Sequence, residues 1–335
     1  MAFILTSISG YRTSIFLYVV VFVFLLMSFF RGLVGTDTYA YEIIVGHLSG
    51  GPVWTGMEPG FVLISWLLLE ITGDASVTVR ILGLLVFCAL FIYIYRSNKL
   101  EKFLLVSYIL PAFIYQYSMN GLRVGIAAMM ILLATQELRQ DRAVRGVGLA
   151  TASLFFHYST LVSMVLLWAS KIRWARTQNI LIVPLAVLLA LCFFIFNESY
   201  FYGKINSYQG FESPSSFSGL GKILTLLVLV SGVFMSNLAR ADKAKLLLLG
   251  LGSTLIFWFV STISYAGLRF LDLLSFAYPL CILVVYNSRK LEFGRFMKIT
   301  LVVAGLLAAL MSYRNFINEE GQGPSPFLPY HLKKF

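Results

Sequence analysis

Long apolar blocks dominate this chain, and short polar segments separate them. Hydrophobic residues make up 59% of the 335 residues and charged residues only 12%, against about 45–50% and about 25% in soluble domains. The blocks are about 17 to 25 residues long, which is the length of a helix that crosses a bilayer, and they lack the alternating pattern of a membrane β-barrel. The sequence therefore predicts an all-α polytopic membrane protein.

The positive charge of the chain is concentrated between these blocks. The formal net charge is +11, and Lys and Arg residues in short loops mark the cytoplasmic side of a membrane protein. The basic clusters lie at 96–102, 139–145, 171–176, 240–245 and 289–298. The charge therefore reports membrane topology and does not indicate a nucleic-acid partner.

Two segments are ambiguous in this topology. Residues 146–170 could form one long crossing, or a hairpin of two half-length helices that breaks near His157. The hairpin leaves about two thirds of the 26 basic residues on the cytoplasmic side, whereas a single crossing divides them evenly. We therefore predict the hairpin, with His157 near the outer face. Residues 60–72 are too few to cross a bilayer upright, which predicts a re-entrant helix there.

The predicted architecture is a single integral membrane domain over residues 1–335, with about 11 transmembrane helices plus the re-entrant helix. The amino terminus lies inside and the carboxy terminus outside. The crossings are predicted at 13–30, 77–95, 103–119, 121–138, 146–157, 158–170, 178–197, 220–238, 246–263, 270–287 and 297–312. The longer outer segments are a loop with short helices at 31–59, a loop at 198–219 and an irregular tail at 315–335.

Polar residues gather at the outer ends of these predicted helices. Charge near a bilayer is costly, so a functional role is the default hypothesis for such residues. They are Asp37, Glu58, Asn120, Arg123, His157 and Arg269. Carboxylates, an imidazole and guanidiniums on one membrane face are the content of an outward-facing site.

Each of these residues also has a structural interpretation. Asp37 and Glu58 could be helix N-caps, Glu58 in front of a proline. Arg123 and Arg269 could be interfacial arginines that reach toward water, and His157 could simply pack among its aromatic neighbours. The three histidines are scattered and have no spacing typical of a zinc site, so we predict no metal and no cofactor. A metal that bridges the two carboxylates and a diphosphate is the weaker alternative.

Four short motifs resemble the EpsG-type branch of the Wzy polysaccharide polymerases. They are R-G-L-V-G-T-D-T-Y-A-Y at 31–41, E-P-G-F at 58–61, S-M-N-G-L-R-V-G-I-A at 118–127 and F-F-H-Y-S at 155–159. The resemblance covers residues 12–175 well. In the second half of the chain it is limited to the spacing of the predicted helices, Arg269 and Tyr278-Pro279. The chain departs from the family in lacking an extra amino-terminal span and in having Val124 where Gln is frequent.

The resemblance implies a multi-pass protein of the bacterial cytoplasmic (inner) membrane with a fold like that of the GT-C glycosyltransferases. Such an enzyme joins oligosaccharide repeat units carried on undecaprenyl diphosphate, for O-antigen, capsule or exopolysaccharide, at the outer face. Its partners would be the lipid-linked oligosaccharide, membrane lipid and a chain-length regulator protein.

Within that resemblance, the residues fall into two roles. A departing diphosphate needs charge stabilisation, which guanidiniums provide by paired hydrogen bonds; Arg123 and Arg269 lead and Arg31 is weaker. The predicted substrate-binding residues are Arg123, Arg269, Arg31, Asn120, Tyr41 and Tyr278. The acceptor hydroxyl must lose its proton, and the candidates for the general base are, in order of preference, Asp37, His157 and Glu58.

Two other classes of protein remain as alternatives. A lipid-linked oligosaccharide flippase or other transporter would also be polytopic and cationic, but its charged residues would follow a path through the membrane. A membrane sugar O-acyltransferase would place a catalytic histidine toward an acyl donor. The gathering of charge at one face favours the polymerase.

Overall fold

The structure is a computed structural model that describes residues 15–54, 57–171, 219–318, 325 and 327–333. Over these ranges the regular structure is helical, apart from one isolated antiparallel bridge between Arg31 and Leu332. The chain forms two compact units, one of residues 1–158 and 305–335 and one of residues 159–304. The all-α class is confirmed.

The first unit is organised around α4. Its helices are α1 (Ile15–Phe29), α2 (Thr38–Gly46), α3 (Pro59–Thr72), α4 (Ala75–Arg96), α5 (99–120), α6 (Leu122–Arg139) and α7 (Ala143–Leu154). A short 3-10 turn, His47–Gly50, follows α2. Helix α4 packs against α1, α2, α3 and α6, and α6 also packs against α7. The core of the unit therefore lies along α4 and α6.

Local sequence sets where several of these helices begin and end. Pro59 occupies the first position of α3, where its missing N–H has no helical partner to lose. Gly73 ends α3 with a φ of 65°, a left-handed conformation that favours glycine. The Asp74 side chain then caps α4 by accepting a backbone N–H at 3.0 Å. At the start of α5, Asn98 and Glu101 form a reciprocal capping box.

The end of α5 and the start of α6 lie in very close contact. Helix α5 contains two π-helical segments, Leu105–Ile109 and Gln116–Asn120, and such segments are frequent at functional sites. A Cβ atom on Gly125 would lie 2.0 Å from the Tyr117 carbonyl oxygen. Only glycine fits at this point, so the start of α6, which carries Arg123, is fixed against the end of α5.

The second unit is organised around α11. It contains α8 (Thr160–Lys171), α9 (Leu220–Phe234), α10 (Arg240–Ile263), α11 (Tyr265–Ser288) and the part of α12 (Arg295–Asn318) up to residue 304. Helix α11 packs against α8, α9 and α10. Asp242 in α10 accepts hydrogen bonds from Arg289 at 2.7 and 2.9 Å, which joins the amino-terminal end of α10 to the carboxy-terminal end of α11.

Several helices have the character of membrane spans. In the described part of the chain, α4, α10, α11 and α12 are long and apolar enough to cross a membrane by length and composition, and α1, α3, α7, α8 and α9 are shorter apolar helices. These helices support a polytopic membrane protein, and the number eleven stays a prediction. The predicted crossing at 178–197 and nearly all of the outer segment at 198–219 lie outside the described residues.

The break predicted near His157 is confirmed. Helix α7 ends at Leu154 and α8 begins at Thr160, and each has 12 residues. At about 1.5 Å per residue neither is long enough to cross a bilayer of about 30 Å alone, so residues 146–170 do not form one continuous helix, and the hairpin topology stays a prediction. The short helix predicted at 60–72 is α3, and its re-entrant placement stays a prediction.

The carboxy-terminal residues differ from the predicted appendage. Helix α12 continues to Asn318, beyond the predicted start of the tail at 315. Residues 325 and 327–333, which we call the C-terminal strap, then lie along the first loop. The Gly32 N–H donates to the His331 carbonyl and the Ser325 hydroxyl to a loop carbonyl, each at 2.8 Å. The strap is thus a packed part of the first unit.

Candidate active site

A buried carboxylate, Glu58, lies at the centre of the polar residues at one end of the first unit. Glu58 is the N-cap residue of α3, but its side chain does not cap the helix. Its Oε2 accepts a hydrogen bond from Arg123 Nη1 at 2.6 Å, and its Oε1 accepts one from His157 Nδ1 at 3.0 Å. These partners lie 65 and 99 positions away in sequence. The tertiary fold brings the three residues together, and we call them the Glu58 cluster.

Gly60 explains how His157 reaches this carboxylate. The Gly60 N–H donates to the Phe155 carbonyl at 2.8 Å. A Cβ on Gly60 would meet that same oxygen at 2.8 Å and the Phe155 Cβ at 2.9 Å, so a side chain at position 60 would push the two segments apart. The first turn of α3 therefore lies directly against the turn that carries His157.

Aromatic rings hold the Arg123 side chain in place. Its guanidinium carbon lies 6.0 Å from the centre of the Phe61 ring, which is within the range of a cation–π interaction. The Tyr41 ring packs on Phe61 with 5.6 Å between ring centres, and the charge of Arg123 acts on the Tyr41 hydroxyl. The Arg123 side chain is 17% exposed and Glu58 is 0% exposed. The Arg123 side chain is thus held by Glu58 and Phe61 and remains partly exposed.

The charges of the cluster fix its protonation. Burial alone raises the pKa of Glu58, but the hydrogen bond from His157 and the charge of Arg123 outweigh burial and lower the pKa to about 2. An ionised carboxylate can only accept hydrogen bonds, so the hydrogen bond to Glu58 places a proton on His157 Nδ1. Burial raises the pKa of Tyr41, so its hydroxyl stays neutral.

Asn120 organises the loop that carries Asp37. The Asn120 Oδ1 accepts the Asp37 backbone N–H at 2.7 Å and the Thr36 hydroxyl at 3.0 Å. Asp37 occupies the N-cap position of α2, as one interpretation of the sequence expected, but its side chain makes no capping hydrogen bond. Its negative charge acts on Tyr41. Asp37 therefore lies near Tyr41, which is beside the Glu58 cluster.

Arg31 is enclosed by the protein. Its side chain donates to the Ser28 carbonyl at 2.6 Å and to the Met119 carbonyl at 3.2 Å, and the residue is 0% exposed. Arg80 lies beside it and donates to the Gly32 carbonyl at 2.9 Å. In this geometry Arg31 joins α1 to the end of α5 and offers no surface to a substrate.

The last two predicted substrate-binding residues belong to the second unit. Arg269 lies in the second turn of α11 and is exposed. Tyr278 lies deep in α11, 1% exposed, and its hydroxyl donates to the Leu246 carbonyl at 3.1 Å. That hydrogen bond gives Tyr278 a packing role, and a substrate role for either residue stays a prediction.

Sequence reasoning overlooked the residues that build the cluster around its charged members. The E-P-G-F and F-F-H-Y-S motifs contain these residues, which are Gly60, Phe61 and Phe155. Gly60 was the one signal in the sequence that could have indicated a close backbone contact. Within the described residues, no group of three His, Cys, Asp or Glu side chains is placed to hold a metal ion. Both Glu58 oxygens already accept hydrogen bonds, one from Arg123 and one from His157.

The fold and the site together define a helical membrane protein with a buried polar cluster where helix ends meet. The model of the EpsG family matches residues 14–332, nearly the whole chain, so the chain belongs to the EpsG family. This membership confirms the resemblance seen in the motifs and indicates a polysaccharide polymerase-type membrane protein. No curated protein and no solved structure matches the chain.

Proposed function

We propose that this protein is a polysaccharide polymerase that joins lipid-linked repeat units at the outer face of the bacterial cytoplasmic membrane. It transfers the glycan carried on one undecaprenyl diphosphate to a hydroxyl of a second lipid-linked unit. Family membership and the apolar helices support this proposal. The observation that carries it is the Glu58 cluster, in which one buried carboxylate holds both an imidazole and a guanidinium.

His157 is the proposed general base. Glu58 accepts the Nδ1 proton and so sets the tautomer that leaves Nε2 able to take a proton from the acceptor hydroxyl, and its charge stabilises the imidazolium that forms. The side chain of His157 is 24% exposed, so part of the ring is accessible. Glu58 is then a positioning residue. This geometry moves our preference from Asp37 to His157.

Arg123 is the proposed cation for the leaving group. A guanidinium has five N–H donors in a planar fork, and only some of them are needed by Glu58 and Tyr41. Its remaining donors can bind diphosphate oxygens as negative charge develops on them. Because Arg123 can supply the positive charge that a metal would otherwise supply, we propose a metal-independent reaction.

These groups account for every bond and proton in the proposed transfer. The acceptor oxygen bonds to the anomeric carbon while the bond from that carbon to the diphosphate oxygen breaks. The acceptor proton passes to His157 Nε2, and the electron pair leaves with undecaprenyl diphosphate, which Arg123 stabilises. The imidazolium then returns its proton to water, and the cluster is restored.

The proposal also covers the fold class and the partners of the enzyme. We expect a GT-C-like single membrane domain, lipid-linked oligosaccharide and membrane lipid as partners, and a chain-length regulator protein acting with the enzyme. Arg269 remains a proposed second cation. A deletion strain tests the class of protein: loss of a polymerase leaves single repeat units on the surface anchor, whereas loss of a flippase leaves none.

The assignment of the base is tested with purified protein in lipid and a lipid-linked repeat unit, with polymer normalised to folded protein. We expect His157→Gln to lower the rate by about 10²–10⁴, the usual cost of removing a general base. The matched variant Asp37→Asn should keep most of the rate. The reverse ranking would return the role of base to Asp37, and full activity of both variants would refute a base at either position.

A further inference from the structure

The first unit has a second polar cavity that the Glu58 cluster does not use. Its volume is about 300 Å³, at the lower end of the roughly 300–1,000 Å³ of small-molecule sites. Its lining includes Glu42, Ser76, Arg80, His331, Leu332 and Lys333. The cavity therefore lies between α2, the start of α4 and the C-terminal strap.

This cavity and the Glu58 cluster are neighbours on one helix. Tyr41 and Glu42 are consecutive residues of α2, so their side chains leave the helix about 100° apart. Tyr41 contacts Arg123 in the cluster, and Glu42 lines the cavity. A ligand long enough to pass around one helix, about 10–12 Å wide, could occupy both places.

The charged groups of the cavity do not suit a phosphate. All five N–H donors of Arg80 have partners: Glu42, the Ser76 carbonyl, the Gly32 carbonyl at 2.9 Å, and the Arg31 carbonyl at 3.3 and 3.4 Å. Arg80 thus holds Glu42 in place and has no donor left for an anion. The second Glu42 oxygen, Oε2, accepts no hydrogen bond from the described residues, and it would repel an anion.

The strap supplies the remaining groups. The Lys333 backbone N–H donates to the Phe30 carbonyl at 2.9 Å, and its ammonium group reaches the Ser76 hydroxyl. The His331 Nδ1–H donates to the Pro329 carbonyl at 3.1 Å, which makes Nε2 the acceptor nitrogen whenever the ring is neutral. The cavity therefore offers a carboxylate and an imidazole acceptor, an ammonium donor, and the exposed apolar side chain of Leu332.

We propose that this cavity is a saccharide subsite, which holds one sugar ring of a lipid-linked repeat unit while another ring of the same glycan reacts at the Glu58 cluster. A sugar ring donates and accepts through its hydroxyls and has an apolar C–H face, which matches a carboxylate, an ammonium group and a leucine. This inference rests on the proposed polymerase function. The strap then takes part in substrate binding as well as in folding.

The kinetic test uses Lys333→Met in the purified protein with a lipid-linked repeat unit. Losing a hydrogen bond from a charged donor should raise KM about tenfold and leave kcat nearly unchanged, because the lost contact is far from the reacting bond. The matched control is Lys298→Met, the same change at an exposed lysine of the second unit, which should leave both constants as in the wild type. An unchanged KM for Lys333→Met would count against the subsite.

A labelling test keeps the inference falsifiable if Lys333→Met does not fold. Leu332→Cys, in a background without the three native cysteines, is labelled with a maleimide in the presence of the delipidated repeat-unit oligosaccharide. We expect the oligosaccharide to slow labelling and pyrophosphate to have no effect. Protection by pyrophosphate alone, or no protection while the protein still polymerises, would refute the subsite. Protection by the oligosaccharide in a protein that never polymerises would retain the subsite and refute the polymerase.

Discussion

The two ends of the first unit each bury a glutamate against an arginine, and they differ in what the glutamate does for its own helix. Glu101 completes the capping box of α5, accepting the Asn98 backbone N–H at 2.9 Å and Arg139 Nε at 2.8 Å. Glu58 also lies at the start of a helix, as the N-cap residue of α3, yet its side chain makes no capping hydrogen bond and gives both oxygens to distant residues. Both side chains are 0% exposed.

The pKa values of the two carboxyl groups move in opposite directions. Burial raises the pKa of Glu101 and outweighs its hydrogen bonds, whereas His157 and Arg123 overcome burial and lower the pKa of Glu58. A helix cap stabilises mainly the fold. For the buried carboxylate of Glu58, which leaves its helix uncapped and holds an imidazole and a guanidinium, we propose a role in the reaction. The comparison predicts that equal substitutions at the two ends have unequal effects on activity.

The largest difference between the two ends is expected from the arginines. Arg123→Ala should lower the polymerisation rate by about 10²–10³ or more, because it removes the charge that meets the diphosphate, and Arg123→Lys should recover only part, because Lys lacks the bidentate fork. Arg139→Ala at the other end should lower the yield of folded protein but keep the rate per folded molecule. Equal loss of rate in the two alanine variants would remove the distinction between the ends.

The next largest difference is expected from isosteric substitutions of the two glutamates. Glu58→Gln keeps the volume but removes the charge that orients His157, and we expect its rate to fall about 10²-fold, the lower end of the range for a disabled base. Glu101→Gln should polymerise at close to the wild-type rate. The measurement is the initial rate per folded protein in lipid. If Glu58→Gln is as active as Glu101→Gln, both carboxylates are structural.

A smaller effect, measured independently of activity, is expected in the stability of the protein at acid pH. The pKa of Glu58 lies at about 2, below its ordinary value of 4.5, so its contribution to folding is complete above pH 4.5 and is lost as the pH falls toward 2. The shift corresponds to roughly 3 kcal/mol. Thermal unfolding should therefore show wild-type protein losing more stability between pH 4.5 and 2 than Glu58→Gln. The same pH dependence in both proteins would contradict the low pKa.

Features set by local sequence could be predicted, and contacts between distant segments could not. The length of 60–72, the break near His157 and a helix starting at Pro59 follow from spacing and helix-end preferences, and the structure contains all three. The pairing of Glu58 with residues 65 and 99 positions away depends on how α3, α6 and α7 pack. For that reason the sequence ranked Glu58 last among the bases and did not assign it a positioning role.

The environment of Arg31 likewise could not be predicted from the sequence. As an arginine just after an apolar block, it fits a predicted outer-face cation, and nothing in its neighbours reveals that carbonyl groups of α1 and α5 enclose it. The strap is a second case, because its hydrogen bonds connect residues 257 to 303 positions apart. Such contacts follow from packing and not from any local pattern.

The central claim is that Glu58 acts through His157, and a double-mutant cycle tests it most directly. Polymerisation rates are measured for Glu58→Gln, His157→Gln and the double variant, each normalised to folded protein. Residues that act as one unit give strongly non-additive effects. The account predicts that the double variant is about as slow as His157→Gln alone. If the two losses multiply, Glu58 and His157 act independently and the proposed dyad is wrong.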